Sequence, residues 1–145
     1  MSPEVATVTF QQSPEVVFTF LADPRNRPEW QSSLRAVEMQ DEGEPRVGMR
    51  WRDLTSVGFR PDMSITALTP YRVWSETGTW RGITADLTLR FTAVAGGTRV
   101  VAEVEVGGQG AWGVISTVVR HLAPAALGKD LERASRLLTA RATGQ

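Results

Sequence analysis

Two carboxylates in this 145-residue chain stand among apolar residues. Asp53 alternates with Met49 and Trp51, and Glu76 with Trp74, at the two-residue spacing that puts side chains on one face of a strand. Burying such a face desolvates the carboxylate, raises its pKa and makes it a general acid or base near neutral pH. The single imidazole, His121, shares a helical face with Val114, Val118 and Ala125. Facing a cavity, it would shuttle protons in a dehydration or an aldol cyclisation. Asp53, Glu76 and His121 are therefore the candidate catalytic residues. Plainer arrangements stay open for each. Strand curvature would turn the carboxylates to solvent, or an arginine would pair with them. A helical histidine is also met as a partly exposed, hydrogen-bonded residue. Arg50, Arg52, Arg60 and Arg90 fall on the expected wet face. An arginine entering a pocket would hold a carboxylate or phenolate, but the sequence does not say which arginine.

Trp51, Trp74 and Trp80 lie on or beside strand-like stretches, Trp30 follows a helix start, and Trp112 begins the last helical stretch. Two or three of them would give an aromatic ligand flat walls; the alternative is ordinary core packing. The residues expected to touch such a ligand are Trp51, Met63, Ile65, Trp74, Trp80, Leu87, Leu89, Phe91, Trp112 and Val118. Other chemistries are excluded by composition. There is no cysteine, so disulfides, thiolate metal sites and cysteine nucleophiles are absent, and one histidine rules out a multi-histidine metal site. No G-X-S-X-G elbow is present. The glycine pairs at 96–97 and 107–108 suit turns, not a phosphate loop. No metal and no cofactor is expected.

These residues need a scaffold, and the chain has material for one domain, 1–145. Its 41% hydrophobic and 22% charged composition is that of a globular protein. Sixteen basic residues offset sixteen acidic ones, which removes the electrostatic footprint of a nucleic-acid binder. No apolar run reaches the roughly 20 residues that span a bilayer, and no basic-then-apolar leader opens the sequence. The expected location is the cytoplasm, as a monomer or homodimer, without membrane insertion.

Val5–Phe10 reads as a strand. Ser13-Pro14-Glu15 starts a short helix to about Ala22, with serine as cap and proline in the first turn. Asn26 or Arg27 caps a second, briefer helix with Pro28 inside. Strands are then expected over 34–40, 47–55, 59–68 and 72–77. The clearest pair follows. Ile83, Ala85, Leu87, Leu89, Phe91 and Ala93 alternate with polar residues, Gly96-Gly97 turns the chain, and Thr98–Val106 returns. From Ala111 to Ala142, Val114, Val118, Leu122, Leu127, Leu131, Ala134 and Leu138 recur at helical spacing. Pro124 is expected to kink or divide that helix. A meander of about six strands must curl, and the final helix is the element long enough to cover its apolar face. A pocket between sheet and helix is the consequence to expect.

Several segments carry a family likeness: S-P-E-V-V-F-T-F-L-A-D at 13–23, R-P-E-W at 27–30, V-G-M-R-W at 47–51, T-P-Y-R-V-W at 69–74, G-G-T-R-V at 96–100 and the Leu127/Leu131 pair. In their order and spacing the chain resembles the START-like (SRPBCC) superfamily, and within it the polyketide cyclase/dehydrase and lipid-transport group. The resemblance implies an α+β helix-grip fold, a curled antiparallel sheet of six to seven strands around a long C-terminal helix, with two short N-terminal helices. It implies a cavity but no particular reaction. The first expected function is binding of a small hydrophobic or aromatic metabolite, lipid-like or polyketide-like. The second is a polyketide aromatase/cyclase driving aldol cyclisation and dehydration with acid/base side chains. The third is a stress-related or partner-binding module without turnover.

Overall fold

The structure is a computed structural model. It describes residues 4–110 and 112–144, and their side chains apart from those of residues 4, 114–118 and 120–122. Strand β1 (Glu4–Phe10) leads into α1 (Pro14–Leu21). The Ser13 hydroxyl accepts the Val16 N–H and Pro14 occupies the first turn, as the sequence predicts. Val17, Phe18, Phe20 and Leu21 turn inward. Asp23 accepts the N–H of Arg25 and opens a single 3-10 turn, Pro24–Asn26, which runs into α2 (Arg27–Trp30). Asn26 does precede α2, but its side chain donates to the Phe20 carbonyl at 3.0 Å instead of capping the helix.

Six further strands follow: β2 (Leu34–Met39), β3 (Arg50–Thr55), β4 (Asp62–Thr69), β5 (Val73–Trp80), β6 (Ile83–Val94) and β7 (Gly97–Gly108). They form one antiparallel sheet in the order β1-β7-β6-β5-β4-β3-β2. The long helix α3 (Trp112–Ala142) packs on β7, β1 and α2. This is the helix-grip α+β architecture.

Four expectations are corrected. The strand expected from Val47 begins at Arg50, because Gly48 sits at φ 90° and the Met49 N–H closes a turn on Arg46. The strand expected from Phe59 begins at Asp62, after Pro61, which lacks the N–H a ladder needs. Within β4 the register shifts between Ile65 and Ala67. The extra residue flips the alternation, so Leu68 packs against the core. The helix α3 also runs through Pro124 as one element rather than dividing.

The filled core lies where sheet, α1, α2 and the C-terminal half of α3 meet. Trp30, Trp51, Trp74 and Phe10 are its largest fully buried apolar members. Gly97 shows how closely this end packs: a Cβ there would lie 1.8 Å from the Phe10 carbonyl oxygen. Paired rungs across β5, β6 and β7 explain why the other end stays hollow. Trp74 pairs with Leu89 and Leu89 with Ala102, a bulky rung. Four residues along, Gly78 pairs with Ala85 and Ala85 with Val106. At Gly78 the Met63 thioether takes the space of a side chain, 2.6 Å from where a Cβ would stand, and beside it the Ala85 methyl leaves volume unfilled where Leu89 carries an isobutyl group.

Candidate functional site

That volume is a cavity of ≈ 230 Å³ between the concave sheet face and α3. Three rungs floor it: Glu76–Leu87–Val104, Gly78–Ala85–Val106 and, at the outer end, Trp80–Ile83. At 3.4 Å per residue these rungs extend about 14 Å along the strands. Asp53 from β3 and Met63 from β4 close one side, Val119 of α3 lies opposite, and Gln31 comes from the segment after α2. Phe59 and Pro61, in the loop between β3 and β4, join Trp80 at the outer end. Phe59 and Trp80 stack with ring centroids 4.5 Å apart, and Trp112 meets Trp80 edge-on at 5.7 Å.

The inner end is polar and buried. Asp53 is 4% exposed, Glu76 6% and Arg27, in α2, only 1%. Arg27 Nη2 donates to Glu76 Oε1 at 2.6 Å, and its Nη1 donates to Gln31 Oε1 at 2.9 Å. The guanidinium lies between the rings of Trp30 and Trp74, 5.2 and 5.3 Å from their centroids, which adds cation–π attraction in a desolvated setting. Burial works against the Arg27 charge, but contact and hydrogen bonding with Glu76, helped by Asp53 and Asp130, hold its pKa above the ordinary value. Asp130 of α3 accepts from the Ser32 N–H and hydroxyl, at 3.2 and 3.0 Å, and so pins the segment carrying Gln31 to the helix.

Burial pushes the Asp53 carboxyl up to about 6, and the charge of Glu76 adds to the rise. Arg27 and the Trp51 indole N–H, which donates to Oδ1 at 2.9 Å, oppose it. Asp53 is thus a group that both holds and releases a proton near neutral pH.

Of the residues singled out from sequence, Asp53 and Glu76 come together at the inner end, and Met63, Trp80 and Leu87 line the cavity. Trp51, Ile65, Trp74, Leu89 and Phe91 are core residues away from its lining. The sheet curls, so its filled end takes these side chains. Trp51 and Trp74 still bear on the site, one bonding Asp53 and the other covering Arg27. Trp112 packs over Gly82 and the edge of Trp80. The side chains of His121 and Val118 lie outside the described residues.

Sequence reasoning missed Arg27 and Gln31. The available signal was the spacing of Arg27 and Trp30, three apart on one helical turn, which carries both to the same face. Among the described residues no group of three His, Cys, Asp or Glu side chains stands ready to hold a metal ion. Nor is any helix among them long and apolar enough to cross a membrane.

The family model for polyketide cyclase / dehydrase and lipid transport matches residues 5–143. The chain belongs to this family. No curated protein matches it. The MLL2253 protein of Mesorhizobium loti is similar in structure, with a TM-score of 0.76 at 20% identity over 94% of this chain and 96% of that one. A START superfamily protein from Mycobacterium smegmatis gives a TM-score of 0.71 at 11% identity, over 95% and 99%. DynU16, described as a putative protein in the dynemicin biosynthetic locus, gives 0.71 at 14% identity. The match covers 96% of this chain but 48% of DynU16. At such identities the likeness is one of fold. The polyketide cyclase/dehydrase and lipid-transport family is shown by the family model, and the solved structures share the architecture described above.

Proposed function

We propose that the protein binds a small, mostly apolar molecule, lipid-like or polyketide-like, in the cavity between sheet and α3. One observation carries this reading: an apolar-walled hollow of ≈ 230 Å³ with two buried carboxylates at its closed end. Apolar burial would drive binding at about 25 cal/mol per Å², and the polar end would orient the guest. Trp80 lines the cavity, so titration with flavonoids, aromatic polyketides and fatty acids should give saturable changes in tryptophan fluorescence. Ala85→Leu fills the thin rung. It should weaken every responding ligand at least about tenfold while leaving the melting temperature unchanged or raised. Absence of any response across the panel would overturn the reading, as would an undiminished response in Ala85→Leu.

The proton-exchanging character of Asp53 favours a second reading, an aldol cyclase. In it the Asp53 carboxylate takes the α-proton of a bound poly-β-ketone. The resulting enolate attacks a second carbonyl of the same chain, and Asp53 returns the proton to the new alkoxide before water is lost. Holding the two carbons together would supply much of the rate. Here Asp53→Asn should abolish cyclised product while substrate still binds. Product formation at the wild-type rate would remove Asp53 from the mechanism.

A further inference from the structure

Among the described residues the charge lining the cavity is one-sided. Among the described residues, the ionisable side chains facing it are Asp53 and Glu76. Asp86 also belongs to that wall of β6, but it alternates with Ala85 and Leu87 and is exposed. The cation that would balance the carboxylates, Arg27, stands behind Glu76 and outside the lining. Its terminal nitrogens are engaged by Glu76 and Gln31, and Trp30 and Trp74 cover its faces. The terminal nitrogens of the guanidinium are therefore not offered to a ligand, while Glu76 still faces the cavity. Among the described residues the Trp51 indole is the one hydrogen-bond donor to the Asp53 side chain. Arg81 lies over the ring of Trp80 at the outer end, two rungs from Glu76. Asp130 is occupied by Ser32.

We infer that the cavity takes a guest whose polar end is a hydroxyl or ammonium group, and that it excludes the same guest ending in a carboxylate. This rests on the binding reading above and narrows it. A hydroxyl or ammonium group donates to the free lone pairs of Asp53. A carboxylate brings only acceptors and a like charge into a buried site. There the repulsion is far stronger than in water, and the hydration it gives up is not replaced. The site's own guanidinium offers no rescue, because turning it toward a ligand would strand Glu76.

Three naphthalene probes test this by calorimetry: naphthol, naphthylmethylamine and naphthoate. Near pH 7.5 the alcohol and the amine should each bind at least about tenfold more tightly than the carboxylate, a gap of roughly 1.4 kcal/mol. Asp53→Asn should narrow the gap from both sides, improving naphthoate and weakening the amine. Between about pH 5 and pH 8 the amine should gain affinity and naphthoate should lose it as Asp53 ionises, with naphthol nearly level. Naphthoate binding as tightly as naphthol overturns the inference and leaves the cavity reading standing. A gap unchanged in Asp53→Asn overturns it too. If none of the three binds, the cavity reading falls and this inference falls with it.

Discussion

Asp53→Asn should stabilise the protein by about 3 kcal/mol near pH 7.5 and by almost nothing below about pH 4. The carboxyl titrates at about 6 in the folded chain against an ordinary value of 3.8. Folding therefore favours its protonated form. In the interval between those values the native state binds more protons than the unfolded state, so stability falls as pH rises. The favourable contribution is complete below 3.8 and is lost as pH climbs through about 6. At about 1.36 kcal/mol per pH unit, the interval is worth about 3 kcal/mol. Asparagine keeps an acceptor for the Trp51 indole and carries no charge to desolvate. Urea denaturation of both proteins from about pH 4 to pH 8 measures the difference directly. Parallel stability curves would show that Asp53 ionises as easily in the fold as outside it. Loss of activity or binding alongside gained stability would mark the residue as one whose cost is retained for function.

Arg27→Met should act in the opposite direction and more strongly, costing about 3–5 kcal/mol at neutral pH. The substitution keeps a long stem between Trp30 and Trp74 but leaves Glu76 and Asp53 buried without their cation. The sign with pH follows from the same groups. Asp53, whose carboxyl burial already pushes up to about 6, takes up its proton on acidification, so its share of the deficit should shrink as pH falls. The double variant Arg27→Met with Glu76→Leu should recover most of the loss, since removing both charges ends the penalty of either one alone. A loss below about 1 kcal/mol in the single variant would mean that the pair contributes no more than a surface ion pair.

The alternation of Met49, Trp51 and Asp53, and of Trp74 and Glu76, put each carboxylate on one face with apolar residues and left open whether that face turned inward or met an arginine; the structure buries all five and pairs Glu76 with Arg27. The Ser13 cap, the Gly96 turn and the long closing helix were equally plain, because each depends on residues close together in the chain. The Arg27–Glu76 pair was not legible. It joins residues 49 apart, and arginine's usual preference is for the surface. Nor did alternation say which part of the inner face would be hollow. It names a face for Trp74, Leu89, Gly78 and Ala85 alike. Only the cross-strand register shows that the two bulky residues share one rung and the two small ones another. The shift at Ile65/Ala67 is likewise a matter of how β4 meets β5, with no glycine to announce it.

The sheet order places β1 beside β7, with Glu4 opposite Val104 and Phe10 opposite Thr98. The earliest strand to be synthesised thus finds its hydrogen-bonding neighbour in the last. During translation it must wait for roughly 90–100 further residues, about 5–20 s at ordinary ribosomal speeds. Through that interval its backbone donors and acceptors are satisfied by water or by a holding chaperone. Thr7 and Thr9, exposed in the finished protein, give the waiting segment one hydrophilic side. That makes it a poorer template for association with a neighbouring nascent chain than an unbroken run of valines would be.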